Sequence, residues 1–156
     1  MLANNRPGLA GHLRSKEPDV TEPVVFDQNA AELFLDGLTK IVVDLDKART
    51  RDAEAVALIG SLAHRMVQDT GQSDWIGLKR SLSADTLNGV IGKLSREIDA
   101  SAAKGQIKLA YAMQAIAASL VGDRFEDRRI AMGIKLLDDF IAAASDYYVR
   151  NAQKPN

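Results

Sequence analysis

The chain has 156 residues, of which 46% are hydrophobic and 26% are charged, and its formal net charge is −1. Such a chain forms one globular domain with a buried core, and its balanced charge disfavours a nucleic-acid-binding or lipid-binding surface. It has no cysteine, which excludes disulfides and thiolate chemistry. No apolar run reaches the roughly twenty residues of a membrane span and no signal-peptide pattern is present, so we expect a cytoplasmic protein.

Residues 1–25 contain three of the four prolines and repeat at neither a helical nor a strand period. We interpret them as a flexible N-terminal arm. A single helical-bundle domain is then expected over residues 26–151, followed by a short tail over residues 152–156.

Residues 26–48 are compatible with two different structures. The Asp36-Gly37 pair, flanked by apolar residues, is typical of a β-hairpin turn. Apolar residues at helical spacing, with Asp27 as a suitable N-cap, favour a helix, and we predict the helix. The helical stripe comprises Ala31, Phe34, Leu38, Ile41 and Leu45.

Residues 53–70 form the second predicted helix, which has a wide apolar face. Either Thr50 or Asp52 can cap the start of this helix, because both side chains can accept a hydrogen bond from a free backbone N–H. Gly71 can close its end, since glycine adopts the left-handed conformation without strain.

The connection over residues 71–83 contains the only tryptophan, Trp75. We expect this apolar segment to fold back and cover the core, because apolar side chains in a connection gain most from burial. The alternative is that Trp75 and Ile76 face a partner, since tryptophan is enriched at interface hot spots.

The last three predicted helices cover residues 84–104, 106–121 and 124–150. Gly105 separates the first two of them and implies a tight helical hairpin. Asp123 and Glu126 have the spacing of a capping box, which predicts that the third begins there.

The helix over residues 106–121 is apolar on two sides. One side carries bulky residues and the other carries mostly small ones. Because both sides must be covered, we place this helix at the centre of the fold. The small-residue side consists of Ala110, Gln114, Ala117, Ala118 and Val121.

These elements predict an all-α fold, an antiparallel helical bundle of about five helices with an irregular N-terminal arm. We expect the three helices from Ala84 onward to form the core around residues 106–121. The first two helices would then close over that core.

His64 is a candidate phosphoacceptor on the polar face of the second predicted helix. An exposed histidine on a bundle helix resembles the site of histidine phosphotransfer domains. That family places a lysine three residues and a glycine four residues after the histidine, where this chain has Val67 and Gln68. Because the cation that would stabilise a phosphoryl group is missing, we favour an ordinary surface histidine.

An arginine cluster is the second candidate site. Glu126 and Arg129 point along the apolar side of the last helix and could meet Arg49 and Arg51, which would suit a phosphate or a carboxylate. A structural ion pair gives the same sequence pattern, and we favour that interpretation. The Glu-x-x-His pattern of bundle metal sites does not occur, so we predict neither a metal nor a cofactor.

We therefore expect a non-enzymatic protein–protein interaction module, an adaptor or regulator that pairs with itself or with another protein. The alternatives are histidine phosphotransfer, binding of an anionic ligand, or an enzyme of unrecognised type. The expected interaction surface comprises Trp75, Ile76, Ala110, Gln114, Ala117, Tyr147 and Tyr148.

Overall fold

The computed structural model describes residues 27–152, and within this range the chain is all-α. The predicted arm over residues 1–25 and residues 153–156 of the predicted tail lie outside the described residues. The helices found in the described range are α1 (Gln28–Arg51), α2 (Ala53–Asp69), α3 (Trp75–Ser81), α4 (Ala84–Ala103), α5 (Ile107–Gly122) and α6 (Arg128–Ala152).

The helix predicted for residues 26–48 is confirmed in the described range, and the β-hairpin alternative is wrong. Helix α1 runs without interruption through Asp36 and Gly37 to Arg51. Its N-cap is Asp27, whose Oδ1 accepts a hydrogen bond from the backbone N–H of Ala30 at 2.9 Å. The helical spacing of the apolar residues favours the helix over the hairpin, because it buries three residues spaced seven apart along α1, namely Ala31, Leu38 and Leu45.

The connection between α2 and α4 contains a helix that the sequence analysis did not predict. Helix α3 has only seven residues, and the side chain of Asp74 caps it by accepting from the N–H of Gly77 at 2.7 Å. Burial of Trp75 and Leu78 against the bundle stabilises it, because a helix this short is marginal on its own. About five helices were expected, and with α3 the described residues contain six.

The predicted start of the last helix is wrong by four residues. Helix α6 begins at Arg128, and its cap is Asp127, whose Oδ1 accepts from the N–H of Arg129 at 2.8 Å. The segment from Asp123 to Glu126 instead joins α5 to α6. Within it the ring of Phe125 stacks on Phe34 with 4.6 Å between centroids, which ties this connection to α1.

Helix α5 lies at the centre of the described bundle, where it packs against α1, α2, α4 and α6. Half of its residues are buried, including Met113, Ile116 and Leu120. Helix α6 packs most extensively on α2, whereas α4 packs on α5 and buries only Ser101 fully. The core is therefore built mainly from α2, α5 and α6, and not from the last three helices as expected.

Helix α1 runs in the same direction as α6. Near the start of both helices Arg129 pairs with Glu32, and further along both helices Arg49 lies over the ring of Phe140. The described bundle is therefore not uniformly antiparallel. This arrangement also leaves an apolar groove along each side of α1, one facing α6 and one facing α5.

Candidate interaction surfaces and a buried polar network

The first candidate site is the groove between α1 and α6, which we call the α1–α6 groove. Its volume is about 470 Å³, within the range of about 300–1,000 Å³ that is usual for binding sites. Apolar side chains from both helices form most of its surface, because each helix carries apolar residues beyond its buried stripe. The main lining residues are Val42, Val43, Arg49, Leu136, Phe140 and Ala143.

An exposed apolar ridge stands beside the α1–α6 groove. Met132 and Leu136, one turn apart on α6, are 70% and 59% exposed, and Tyr147 on the same side of α6 is 43% exposed. Val43, which is 46% exposed, forms the opposite edge on α1. Scattered apolar residues on a surface are ordinary, but two exposed apolar side chains one turn apart, such as Met132 and Leu136, form a candidate interaction surface.

The rim of the α1–α6 groove carries charges of both signs. On α6, Lys135 pairs with Asp139 at 3.2 Å. On α1, Arg49 pairs with Asp46, and the Arg49 guanidinium lies 5.9 Å from the centroid of Phe140. The rim therefore presents neither a purely basic nor a purely acidic surface.

A second, smaller groove of about 300 Å³ lies on the other side of α1, facing α5. Two residues of the predicted interaction surface, Gln114 and Ala117, line it. Leu33 forms its outer edge and is 74% exposed. Ala110, also in the predicted surface, is buried in the bundle and is only 7% exposed.

Trp75 lies inside the protein, at 1% exposure. The expectation that this segment covers the core is therefore confirmed, and the alternative of a partner-facing tryptophan is wrong. The indole Nε1–H lies 3.1 Å from Ser119 Oγ and 3.2 Å from Asp138 Oδ1, so the polar edge of the ring is satisfied. Its neighbour Ile76 is 37% exposed at the surface of α3.

Lys79 and Asp138 extend this contact into a buried polar network. The Lys79 ammonium lies 2.7 Å from Asp138 Oδ2 and 2.9 Å from Asp123 Oδ2, and its side chain is 6% exposed. The Ser119 hydroxyl donates to the second Asp138 oxygen at 2.5 Å. Each buried polar group has a partner, as burial of charge requires.

The network joins three helices but does not form an accessible reactive site. Ser119 and Trp75 are 0% and 1% exposed, so a substrate cannot reach the hydroxyl in this structure. We interpret the network as a structural one, whose hydrogen bonds and ion pair hold α3 against α5 and α6. The buried polar network was not predicted from the sequence. Two features of the sequence indicate it: Ser119 lies inside an apolar helix, and Asp138 lies beside an apolar stripe.

His64 lies half-buried against α6, and not on a free polar face as predicted. Its ring centroid is 5.9 Å from that of Tyr148, which is itself half-buried. One turn earlier, the backbone of α6 at Ala144 closes over Gly60. The surroundings of His64 are therefore crowded by α6, and phosphotransfer at this residue stays a prediction without geometric support.

The predicted arginine cluster is not assembled. Arg129 pairs with Glu32 and Asp127, each at 2.8 Å, near the start of α1. Arg49 lies seventeen residues further along α1, which corresponds to about 25 Å at a helical rise of 1.5 Å per residue. Arg51 and Glu126 are exposed. Arg129 is therefore part of a structural ion pair, as favoured, but its partners in the described residues are Glu32 and Asp127 and not the predicted Glu126.

The corner between α1 and α2 holds a second set of paired charges. Asp52 caps α2 as predicted, accepting from the N–H of Ala55 at 3.2 Å, and it also pairs with Lys108 of α5. The hydrogen bond from Lys108 holds the pKa of Asp52 below its usual range. Nearby, burial and the hydrogen bond to Asp44 raise the pKa of the Tyr111 hydroxyl.

Comparison of the chain with protein-family models, with curated proteins and with solved structures gives no match. Within residues 27–152, none of the helices combines the length and apolarity needed to cross a bilayer. In the same range, histidine, aspartate and glutamate side chains do not gather in groups of three or more that could bind a metal.

Proposed function

We propose that this chain is a non-enzymatic helical interaction module that pairs with a second copy of itself through the α1–α6 groove. The observation that carries this proposal is the exposed apolar ridge of Met132 and Leu136 standing directly beside an apolar groove. Burial of these side chains in a partner would remove apolar surface from water, which is the main driving force of association.

A second copy is the favoured partner because the ridge and the groove lie side by side on one face. In an isologous pair the same patch is used by both subunits, so each ridge can enter the groove of the other. The flexible side chain of Met132 can adapt its shape to such a contact. Leu136 and Phe140 would lie near the centre, where hot-spot residues concentrate.

The rim charges also support a second copy over a strongly charged partner. Lys135 and Asp139 on α6, and Asp46 and Arg49 on α1, place both signs around the groove. Two copies in opposite orientation can bring unlike charges together across such a rim. A strongly basic or strongly acidic partner would meet like charge on at least part of it.

The test uses the absence of cysteine, which makes an introduced cysteine unique. Ala143 is exposed within the α1–α6 groove, so Ala143→Cys is expected to give covalent dimers with a short bis-maleimide linker. The matched control is Leu33→Cys, which is exposed on the other side of α1. Equal dimer yields from the two variants, or none from Ala143→Cys, would contradict pairing through this groove.

A further inference from the structure

A third cleft, of about 390 Å³, lies between α2 and α4 and has α5 as its floor. Helix α5 packs against both walls, and its side chains Leu109 and Met113 form the floor. Leu58 and Leu62 of α2 continue the apolar surface up one wall. The floor and one wall of the cleft are therefore largely apolar, and its size suits a small molecule.

The Ser101 hydroxyl lies in this cleft without a hydrogen-bond partner. Ser101 of α4 is only 8% exposed, yet its side chain makes no hydrogen bond to any residue from 27 to 152. Ser61 presents a second hydroxyl from the opposite wall. A buried hydroxyl that lacks a partner costs free energy, and in native proteins it commonly marks a missing water, ion or ligand.

The rim of the cleft is positively charged on balance. Arg65 lies on the α2 wall and Lys104 on the α4 wall, and neither forms an ion pair within the described part of the chain. Glu97 is the one acidic residue that lines the cleft. Two cations and one carboxylate leave a net charge of +1, which favours a ligand with an anionic group.

We propose that this cleft binds a small amphipathic carboxylate. The apolar part of the ligand lies on Leu62, Leu109 and Met113, and its carboxylate accepts a hydrogen bond from Ser101 while the rim cations balance its charge. This site is separate from the α1–α6 groove and from the residues predicted as an anion site, so it does not depend on the proposed function.

Octanoate and octylammonium, which carry opposite charges on alkyl chains of similar length, provide the first test. Isothermal titration of the full chain should show octanoate binding at one site, with octylammonium at least about tenfold weaker, because the net positive rim of Arg65, Lys104 and Glu97 attracts a carboxylate and repels an ammonium. Equal affinities would show that the cleft recognises only the apolar chain, and no octanoate binding would overturn the proposal.

Two pairs of variants locate the site. Ala100 is exposed in the cleft, so Ala100→Trp should abolish octanoate binding, whereas Ala131→Trp, at an exposed position of α6 outside the cleft, should leave it unchanged. Ser101→Ala should weaken octanoate about tenfold while the melting temperature stays equal or rises, because the lost hydroxyl has no partner in the fold. Unchanged affinity in both Ala100→Trp and Ser101→Ala would place any binding elsewhere.

Discussion

At the scale of single residues, Asp138 is the centre of the buried polar network. It accepts hydrogen bonds from Trp75 and Ser119 and pairs with Lys79, while its own side chain is 10% exposed. Removing one partner of a buried ion pair leaves an uncompensated charge, and this costs more than the pair contributes. The fixed position of α3 is therefore expected to depend on this one carboxylate.

We expect Asp138→Ala to lower the free energy of unfolding by about 3–5 kcal/mol, because the buried Lys79 would keep only the 54% exposed Asp123 as its partner and the buried Ser119 hydroxyl would lose its acceptor. The measurement is urea unfolding followed by circular dichroism. The next residue provides the control: Asp139, with a 66% exposed side chain, makes only an i,i+4 pair with Lys135. Asp139→Ala should cost less than about 1 kcal/mol. Equal losses in the two variants would show that the network does not stabilise the fold.

The burial of Trp75 could be predicted from the sequence, but its hydrogen-bond partners could not. Trp75 was expected to cover the core because its segment is apolar, and it does. Its polar partners could not be predicted, since Ser119 and Asp138 are 44 and 63 residues away in the chain. Helical periodicity assigns a residue to a face of its own helix, but it does not reveal which distant side chain meets that face.

At the scale of helices, α2 and α6 approach each other closely at Gly60. A Cβ atom added there would overlap the backbone carbonyl of Ala144, which cannot move without shifting α6. The glycine is therefore a requirement of packing, although glycine inside a helix is unfavourable. It allows the largest interface of the described bundle to form.

We expect Gly60→Ala to destabilise the protein by about 1–3 kcal/mol, because the added methyl group forces two packed helices apart. Gly89 is the matched position: it also lies inside a helix, but a Cβ there would meet nothing within 4 Å. Gly89→Ala should stabilise by about 0.5–1 kcal/mol through helix propensity alone. Thermal unfolding of both variants measures the contrast, and a gain in stability for Gly60→Ala would show that the helices are not in close contact there.

The helices themselves were largely accessible from sequence. Long segments with clear periodicity and good caps, such as α1 after Asp27 and α2 after Asp52, were predicted close to their observed bounds. Errors occurred where contacts with other parts of the fold determine whether a helix forms or where it begins. Helix α3 is too short for its period to be recognised. Helix α6 is capped by Asp127 and not by Asp123, and the ring of Phe125 in the connection before it stacks on Phe34.

At the scale of the whole molecule, the way the helices cross determines which helices are neighbours and where grooves lie between them. Sequence placed α5 at the centre, because it is apolar on two sides. It could not show that α1 runs alongside α6 and leaves Leu136 exposed, since this depends on the crossing of two helices far apart in the chain. The α1–α6 groove was therefore not predicted, although Tyr147, which is exposed on the same side of α6 as Leu136, was named.

Sedimentation equilibrium of the unmodified chain shows whether two copies pair through the α1–α6 groove, as proposed. We expect the mean mass to rise from that of one chain, 16.9 kDa, toward twice that value as concentration increases from micromolar to millimolar.

Leu136→Asp, at a position that is 59% exposed, should weaken pairing at least about tenfold without unfolding the protein. Leu33→Asp, at the 74% exposed position on the other side of α1, should pair like the unmodified chain. A mass of 16.9 kDa across the whole series would contradict the claim, as would equal pairing by the Leu136→Asp variant and the unmodified chain.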